Sequence, residues 1–226
     1  SEMCIRDRIY YDDKIYFDLY IIILGKKMQG FPSVEPGLTI GLLGGSFDPP
    51  HEGHVHITKL ALKFFNLSKI WWLVCPENPI KSVTPSDVNS RFLASKKIMK
   101  HPSVVITDLE RKFKTKYTFQ TLIKLKKLYP STKFVWLMGA DNLINFHHWK
   151  NWDWIMKNIP VGVLARPEEQ IKAGLSHTAI KFGNYRLPKE KSIILSNYIP
   201  PVWTLSTGPM RNISSTEIRE KEYHHN

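Results

Sequence analysis

Cysteine is scarce: Cys4 and Cys75 are the only two in 226 residues. Two thiols argue against a disulfide framework, their positions have no metal-ligand spacing, and a reducing cytoplasm fits them. Long apolar runs are lacking as well. The longest near the start, IYFDLYIIILG over 15–25, contains Asp18. It falls short of the roughly 20 apolar residues that cross a bilayer. Asp12-Asp13 precede it and Lys26-Lys27 follow it, the reverse of a secretory signal with its basic start. Acidic residues are also few: 20 Asp plus Glu stand against 32 Lys plus Arg, a net charge of +12. That surplus suits an anionic partner (a nucleotide, a nucleic acid or an acidic lipid) or a basic solvated surface. No basic stretch interleaved with aromatics reads as an RNA-binding motif, so a nucleic-acid module is the distant alternative. Internal repeats, low-complexity segments and clear linkers are absent. Neither a Walker Gly-Lys-Ser/Thr nor a G-x-G-x-x-G dinucleotide turn occurs.

What is present is an alternation of apolar runs and helical stretches. Hydrophobic residues make up 42% of the chain, enough for a sizeable core. Strands are expected over 38–43, 69–75, 103–108, 133–139, 159–166 and 191–197. Helices are expected over 54–65, 86–99 (capped by Ser86 or Asp87), 118–129 (capped by Thr118), 151–158 and 214–222. Region 168–190 is polar and carries no clear period. Strands alternating with helices imply βαβ units with right-handed crossovers. The expected fold is α/β: a Rossmann-like doubly wound parallel sheet, three layers α/β/α, in a single domain over 28–226. Met28 is the expected natural start, with residues 1–27 a dispensable extension.

Every unusual motif falls at the carboxyl end of an expected strand, where ligands of such folds bind. The first is GGSFDPPHEGH, residues 44–54. Gly44 and Gly45 have no Cβ, so the backbone there can approach a ligand closely. A helix opening near Gly53-His54 aims its free N–H groups and positive dipole end at the same place. His51 and His54 can donate hydrogen bonds to phosphate oxygens. Zinc would need a third ligand, and none sits at suggestive spacing. ISSTEIR, 213–219, is the second: Ser214 and Glu217 have capping-box spacing, which puts Ser215 and Thr216 in a first helical turn and Arg219 one turn on. Alone it also reads as a plain capped surface helix. MGADN, 138–142, ends a buried strand with Gly139 and Asp141, the latter a ligand contact or a turn cap.

Together these strings resemble the nucleotidylyltransferase superfamily, and within it the bacterial nicotinate-nucleotide adenylyltransferases. PENPIKS (76–82), KYTFQTL (116–122), FVWLMGADNLINFHHWKNW (134–152) and NISSTEIR (212–219) carry the closer match. The resemblance spans about 38–222. It departs from the family at Ile80-Lys81, where His-Lys is common.

The resemblance implies transfer of AMP from ATP to nicotinate mononucleotide, with Mg²⁺ carried mainly on the ATP phosphates and no metal site of the protein's own. Nicotinamide mononucleotide or another phosphate such as phosphopantetheine are the alternative acceptors. It implies catalytic roles for His51 and His54. ATP and its phosphates would be met by Gly44, Gly45, Ser46, Phe47, Ser214, Ser215, Thr216 and Arg219, with Arg166 at the adenine or phosphates, or merely solvated. The mononucleotide would be met by Asn78, Lys81, Tyr117, Thr118, Gly139, Asp141 and Trp149, the last stacking on the pyridine ring. No nucleic-acid or membrane partner is expected.

Overall fold

The computed structural model describes residues 30–76, 86–165 and 169–208. One compact unit, Val34–Asn226, carries the fold. Among the described residues its seven strands are β1 (Thr39–Gly45), β2 (Lys69–Val74), β3 (Val104–Thr107), β4 (Lys133–Gly139), β5 (Val161–Ala165), β6 (Arg186–Leu187) and β7 (Trp203–Thr207). Every pairing is parallel, in the order β3-β2-β1-β4-β5-β7-β6. The main crossover helices are α1 (Glu52–Phe64), α2 (Val88–Ile98), α3 (Leu109–Phe113), α4 (Thr118–Leu128), α5 (Ala140–Asn145) and α6 (Trp152–Asn158). Two short helices, α7 (Gln170–Gly174) and α8 (His177–Lys181), fill the stretch whose sequence had no clear period. Among the described residues no helix is long and apolar enough to cross a membrane.

The chain winds outward from β1 to β3, then returns to place β4 on the other side of β1. Right-handed crossovers therefore put the helices of the two halves on opposite faces. This is the doubly wound α/β fold expected from the alternation. Its switch point lies between β1 and β4, and a crevice forms there at the carboxyl edge. The central strands are covered on both faces, so they read as continuous apolar runs rather than alternating ones. Trp71, Trp72, Trp136 and Trp203 are at most 1% exposed and anchor β2, β4 and β7 in the core. Burying each large side chain contributes roughly 2 kcal/mol or more.

The expected strand over 191–197 is instead part of a 3₁₀ segment, Lys189–Asn197. Side chains three apart eclipse in such a helix. Ser192 and Leu195 are accordingly buried, while Ile193 and Ile194 face outward. The strand that completes the sheet is WTLST of β7, which pairs with β5 from Val161↔Trp203 to Ala165↔Thr207. Thr204 and Ser206 are buried, and Thr204 Oγ1 donates to the Leu187 carbonyl at 3.2 Å. The expected cap at Thr118 is also corrected. Tyr117 is the N-cap, with extended backbone, and Thr118 is the first helical residue. Gln120 Oε1 reaches back to accept from the N–H groups of Lys116 and Tyr117, both at 3.2 Å. Of the two candidate caps for α2, Asp87 is the cap, accepting from Ser90 N–H at 3.0 Å.

Glu110 on α3 is buried, and burial pushes its carboxyl from the ordinary 4.5 up to about 7. Below pH 4.5 the folded and unfolded states both hold this proton. Between 4.5 and 7 only the folded state keeps it, so stability falls as pH rises through that window and levels off above it. Glu110→Gln should abolish that fall. The variant should gain on the order of 3 kcal/mol over the parent at pH 8 and little at pH 4.5. Urea unfolding at the two pH values measures it.

Candidate active site

At the crevice, β1 runs out at Gly45 and the chain turns through Ser46–Pro50 into α1. The space beside Gly44 is filled by the Trp136 indole, and a Cβ there would come within 2.6 Å of its edge. Phe47 takes a left-handed backbone, φ 50°, which is rare for a bulky residue. Such a conformation persists where surrounding structure enforces it. Here the Phe47 ring is 1% exposed and stacked on Trp72, with centroids 4.5 Å apart and planes 7° from parallel. The same ring lies 4.9 Å from His54.

The two histidines cap their own helix. His51 is the N-cap, and its Nδ1 accepts from Gly53 N–H at 3.1 Å. His54 Nδ1 accepts from His51 N–H at 3.2 Å. Each side chain satisfies an orphan donor of the first turn, in the reciprocal manner of a capping box. The rings lie 3.9 Å apart. An Nδ1 that accepts carries no proton, so each neutral ring carries its proton on Nε2. Both rings are half-buried. A buried relay supports His54 from behind: Trp72 Nε1 donates to Thr58 Oγ1 at 2.9 Å, which donates to the His54 carbonyl at 2.7 Å.

β4 ends beside this turn, its pairing with β1 running to Leu43↔Leu137. Gly139 follows, and the Asp141 carboxylate in the first turn of α5 folds back over the Gly139 Cα. Trp149 is half-buried and set edge-on to Trp136, 6.2 Å between centroids, and to Phe146, 5.2 Å. One indole, Trp136, thus touches the Gly44 turn on one side and Trp149 on the other. Trp152 packs edgewise against Phe146, His177 and Phe182. Tyr117 and Thr118 open α4, which runs back from the carboxyl edge of the sheet.

The structure therefore gathers Gly44, Gly45, Ser46, Phe47, His51 and His54 in one turn, with Gly139, Asp141 and Trp149 alongside. Asn78, Lys81, Arg166, Ser214, Ser215, Thr216 and Arg219 lie outside the described residues. Among the described residues, no three His, Cys, Asp or Glu side chains cluster as metal ligands.

Sequence reasoning missed Trp136, Thr58, Trp72 and Arg91 around this turn. Only Arg91 left a signal, as a charge on the inward stripe of α2. Asp48 is fixed in the same turn. Its Oδ2 accepts from Ser86 N–H at 3.1 Å and its Oδ1 from Ser86 Oγ at 2.6 Å, which fastens the turn to the start of α2.

Residues 42–221 match the cytidylyltransferase-like family. The chain belongs to that family. A probable nicotinate-nucleotide adenylyltransferase of Ruegeria sp. (strain TM1040) is 53% identical over 184 residues, covering 81% of this chain and 97% of its own. One of Parvibaculum lavamentivorans is 40% identical over 189 residues, 83% of this chain and 94% of its own. The fold of this cytidylyltransferase-like protein resembles Plasmodium falciparum nicotinic acid mononucleotide adenylyltransferase complexed with NaAD. There the TM-score is 0.57 and the identity 21%, over 81% of this chain and 83% of that one.

Proposed function

We propose that this protein transfers AMP from ATP to nicotinate mononucleotide, giving nicotinate adenine dinucleotide and pyrophosphate. The observation that carries the reading is the pair of self-capped histidines at the start of α1, at the switch point of the sheet. Its relatives at 40–53% identity carry the corresponding name.

The phosphate of the mononucleotide attacks the α-phosphorus of ATP, and pyrophosphate leaves. The nucleophile is already an anion, so no strong protein base is required. Catalysis then consists of positioning and of meeting the charge that moves. The Nε2–H groups of His51 and His54 donate to the α- and β-phosphate oxygens. The positive end of the 13-residue α1 adds its dipole at the same place. Gly44, Gly45, Ser46 and Phe47 form the wall behind the phosphates. Ser214, Ser215, Thr216 and Arg219 hold the β- and γ-phosphates, and Arg166 the adenine side. Asn78, Lys81, Tyr117, Thr118, Gly139 and Asp141 line the mononucleotide side, where Trp149 stacks on the pyridine ring.

Magnesium fits this donor set as a passenger on ATP. The carboxylate in the phosphate turn, Asp48, already accepts twice from Ser86. A cation that keeps its waters and binds substrate phosphates is the ordinary habit of Mg²⁺, and it would neutralise polyphosphate charge. The acid form of the mononucleotide carries one more negative charge than the amide, which suits a +12 chain.

Pyrophosphate release should be measured with ATP and equal concentrations of nicotinate mononucleotide, nicotinamide mononucleotide and phosphopantetheine. The nicotinate form should give the highest kcat/KM. Faster turnover with either competitor would overturn the choice of acceptor.

A further inference from the structure

Arg91 sits on α2 where the inward stripe of Val88, Ser95 and Met99 calls for an apolar or small side chain. It is 2% exposed. Its Nε donates to the Ser86 carbonyl at 2.7 Å. Its Nη1 donates to the carbonyls of Ser46 at 2.5 Å and Cys75 at 2.8 Å, and its Nη2 to that of Pro76 at 2.9 Å. All four acceptors are main-chain oxygens. Replacing a buried charge by well-packed apolar residues is often neutral or stabilising, so a buried guanidinium is weak evidence of a stabilising role. Its bonds to carbonyls of separate chain segments point to a role other than packing.

The four carbonyls come from three places. Ser46 belongs to the phosphate turn, Cys75 and Pro76 to the end of β2, and Ser86 to the approach to α2. Pro76 and Ser86 flank residues 77–85, which carry Asn78 and Lys81. A single planar fork thus ties the phosphate turn to the chain on both sides of that stretch. Asp48 and Ser86 make a second clasp between the same two parts. The Cys75 N–H also donates to the Gly45 carbonyl at 3.1 Å, continuing the β1–β2 pairing into the turn. The electrostatic consequence is direct. A carbonyl oxygen facing a polyphosphate would repel it, and the guanidinium engages the Ser46 oxygen instead.

We propose that Arg91 is a positioning residue for adenylyl transfer: its guanidinium fork sets the phosphate turn against the end of β2, so that both substrates meet in line. The proposal rests on the function proposed above. It separates two properties of the side chain, because lysine retains the charge but cannot span three chain segments with a rigid fork.

The test compares wild type, Arg91→Lys and Arg91→Met. The readouts are thermal unfolding, kcat and KM for each substrate, and calorimetric binding of α,β-methylene ATP. A positioning role predicts a kcat about 10²-fold lower in both folded variants, the cost of a misplacement of about 1 Å, with KM values changed far less. Wild-type kcat in a folded Arg91→Met variant would overturn the proposal, and so would full rescue by lysine, which would make the charge rather than the fork the cause. If neither variant folds, Ser86→Ala decides through the second clasp. It should lower kcat several-fold with no change in unfolding temperature, and an unchanged kcat overturns the proposal. If wild type itself forms no dinucleotide, the functional reading fails separately. Arg91 is then judged by the analogue, whose affinity should be about tenfold weaker in Arg91→Met and equal to wild type if the proposal is wrong.

Discussion

His54→Ala is expected to lower kcat/KM for dinucleotide formation by about 10²–10³-fold, the usual cost of removing one donor aimed at developing phosphate charge. The fold should survive. The His54 side chain accepts His51 N–H at 3.2 Å, and that bond is lost in the variant. Losing one such bond costs about 0.5–1.5 kcal/mol. The Trp72–Thr58 relay ends on the His54 carbonyl and persists in the variant, because that carbonyl is main chain. Steady-state kinetics beside urea unfolding separates the two effects. A variant with full activity would remove His54 from the mechanism.

His51 allows a cleaner separation, because its two nitrogens are assigned two tasks. Nδ1 caps α1 by accepting from Gly53 N–H, and Nε2–H is the proposed phosphate donor. Asparagine is among the best N-cap residues and accepts through its side-chain oxygen, whereas alanine caps nothing. His51→Asn should therefore keep near-parental stability and still lose about 10²-fold in kcat. His51→Ala should lose the same rate and about 1 kcal/mol of stability as well. Equal stability of the two variants would contradict the cap. Activity of His51→Asn close to wild type would contradict the donor role.

The βαβ order and the turn between β1 and α1 were legible because each had a strong local cause. The central strands are unbroken runs of Val, Ile, Leu and Trp, bounded by polar residues. The GGSFDPPHEGH turn concentrates glycine, proline and histidine where a strand must hand over to a helix. β7 was not legible, since Pro200-Pro201 precede it and three of its five residues are Thr or Ser. Its strand character comes from burial beside β5, a tertiary effect. Lys189–Asn197 misled in the opposite way: adjacent Ile193 and Ile194 suggested a buried strand, and both are exposed. At the site, the sequence marked the histidines but not which nitrogen of each would cap the helix. That follows only from the two capping bonds. The glycine at 44 was read as room for a ligand, and Trp136 supplies a second reason, because its ring occupies the space a side chain would need. No short-range pattern could have linked Ser46, Cys75, Pro76 and Ser86 through Arg91, since they lie up to 45 residues from it.

The most direct test of the account follows the phosphorus atoms. ATP labelled separately at the α- and γ-positions is incubated with nicotinate mononucleotide, and the products are separated. The account predicts that α-label appears in the dinucleotide and that γ-label leaves entirely as pyrophosphate. Label from the γ-position in the acceptor, or orthophosphate as the leaving product, would contradict attack at the α-phosphorus and with it the roles given to His51 and His54.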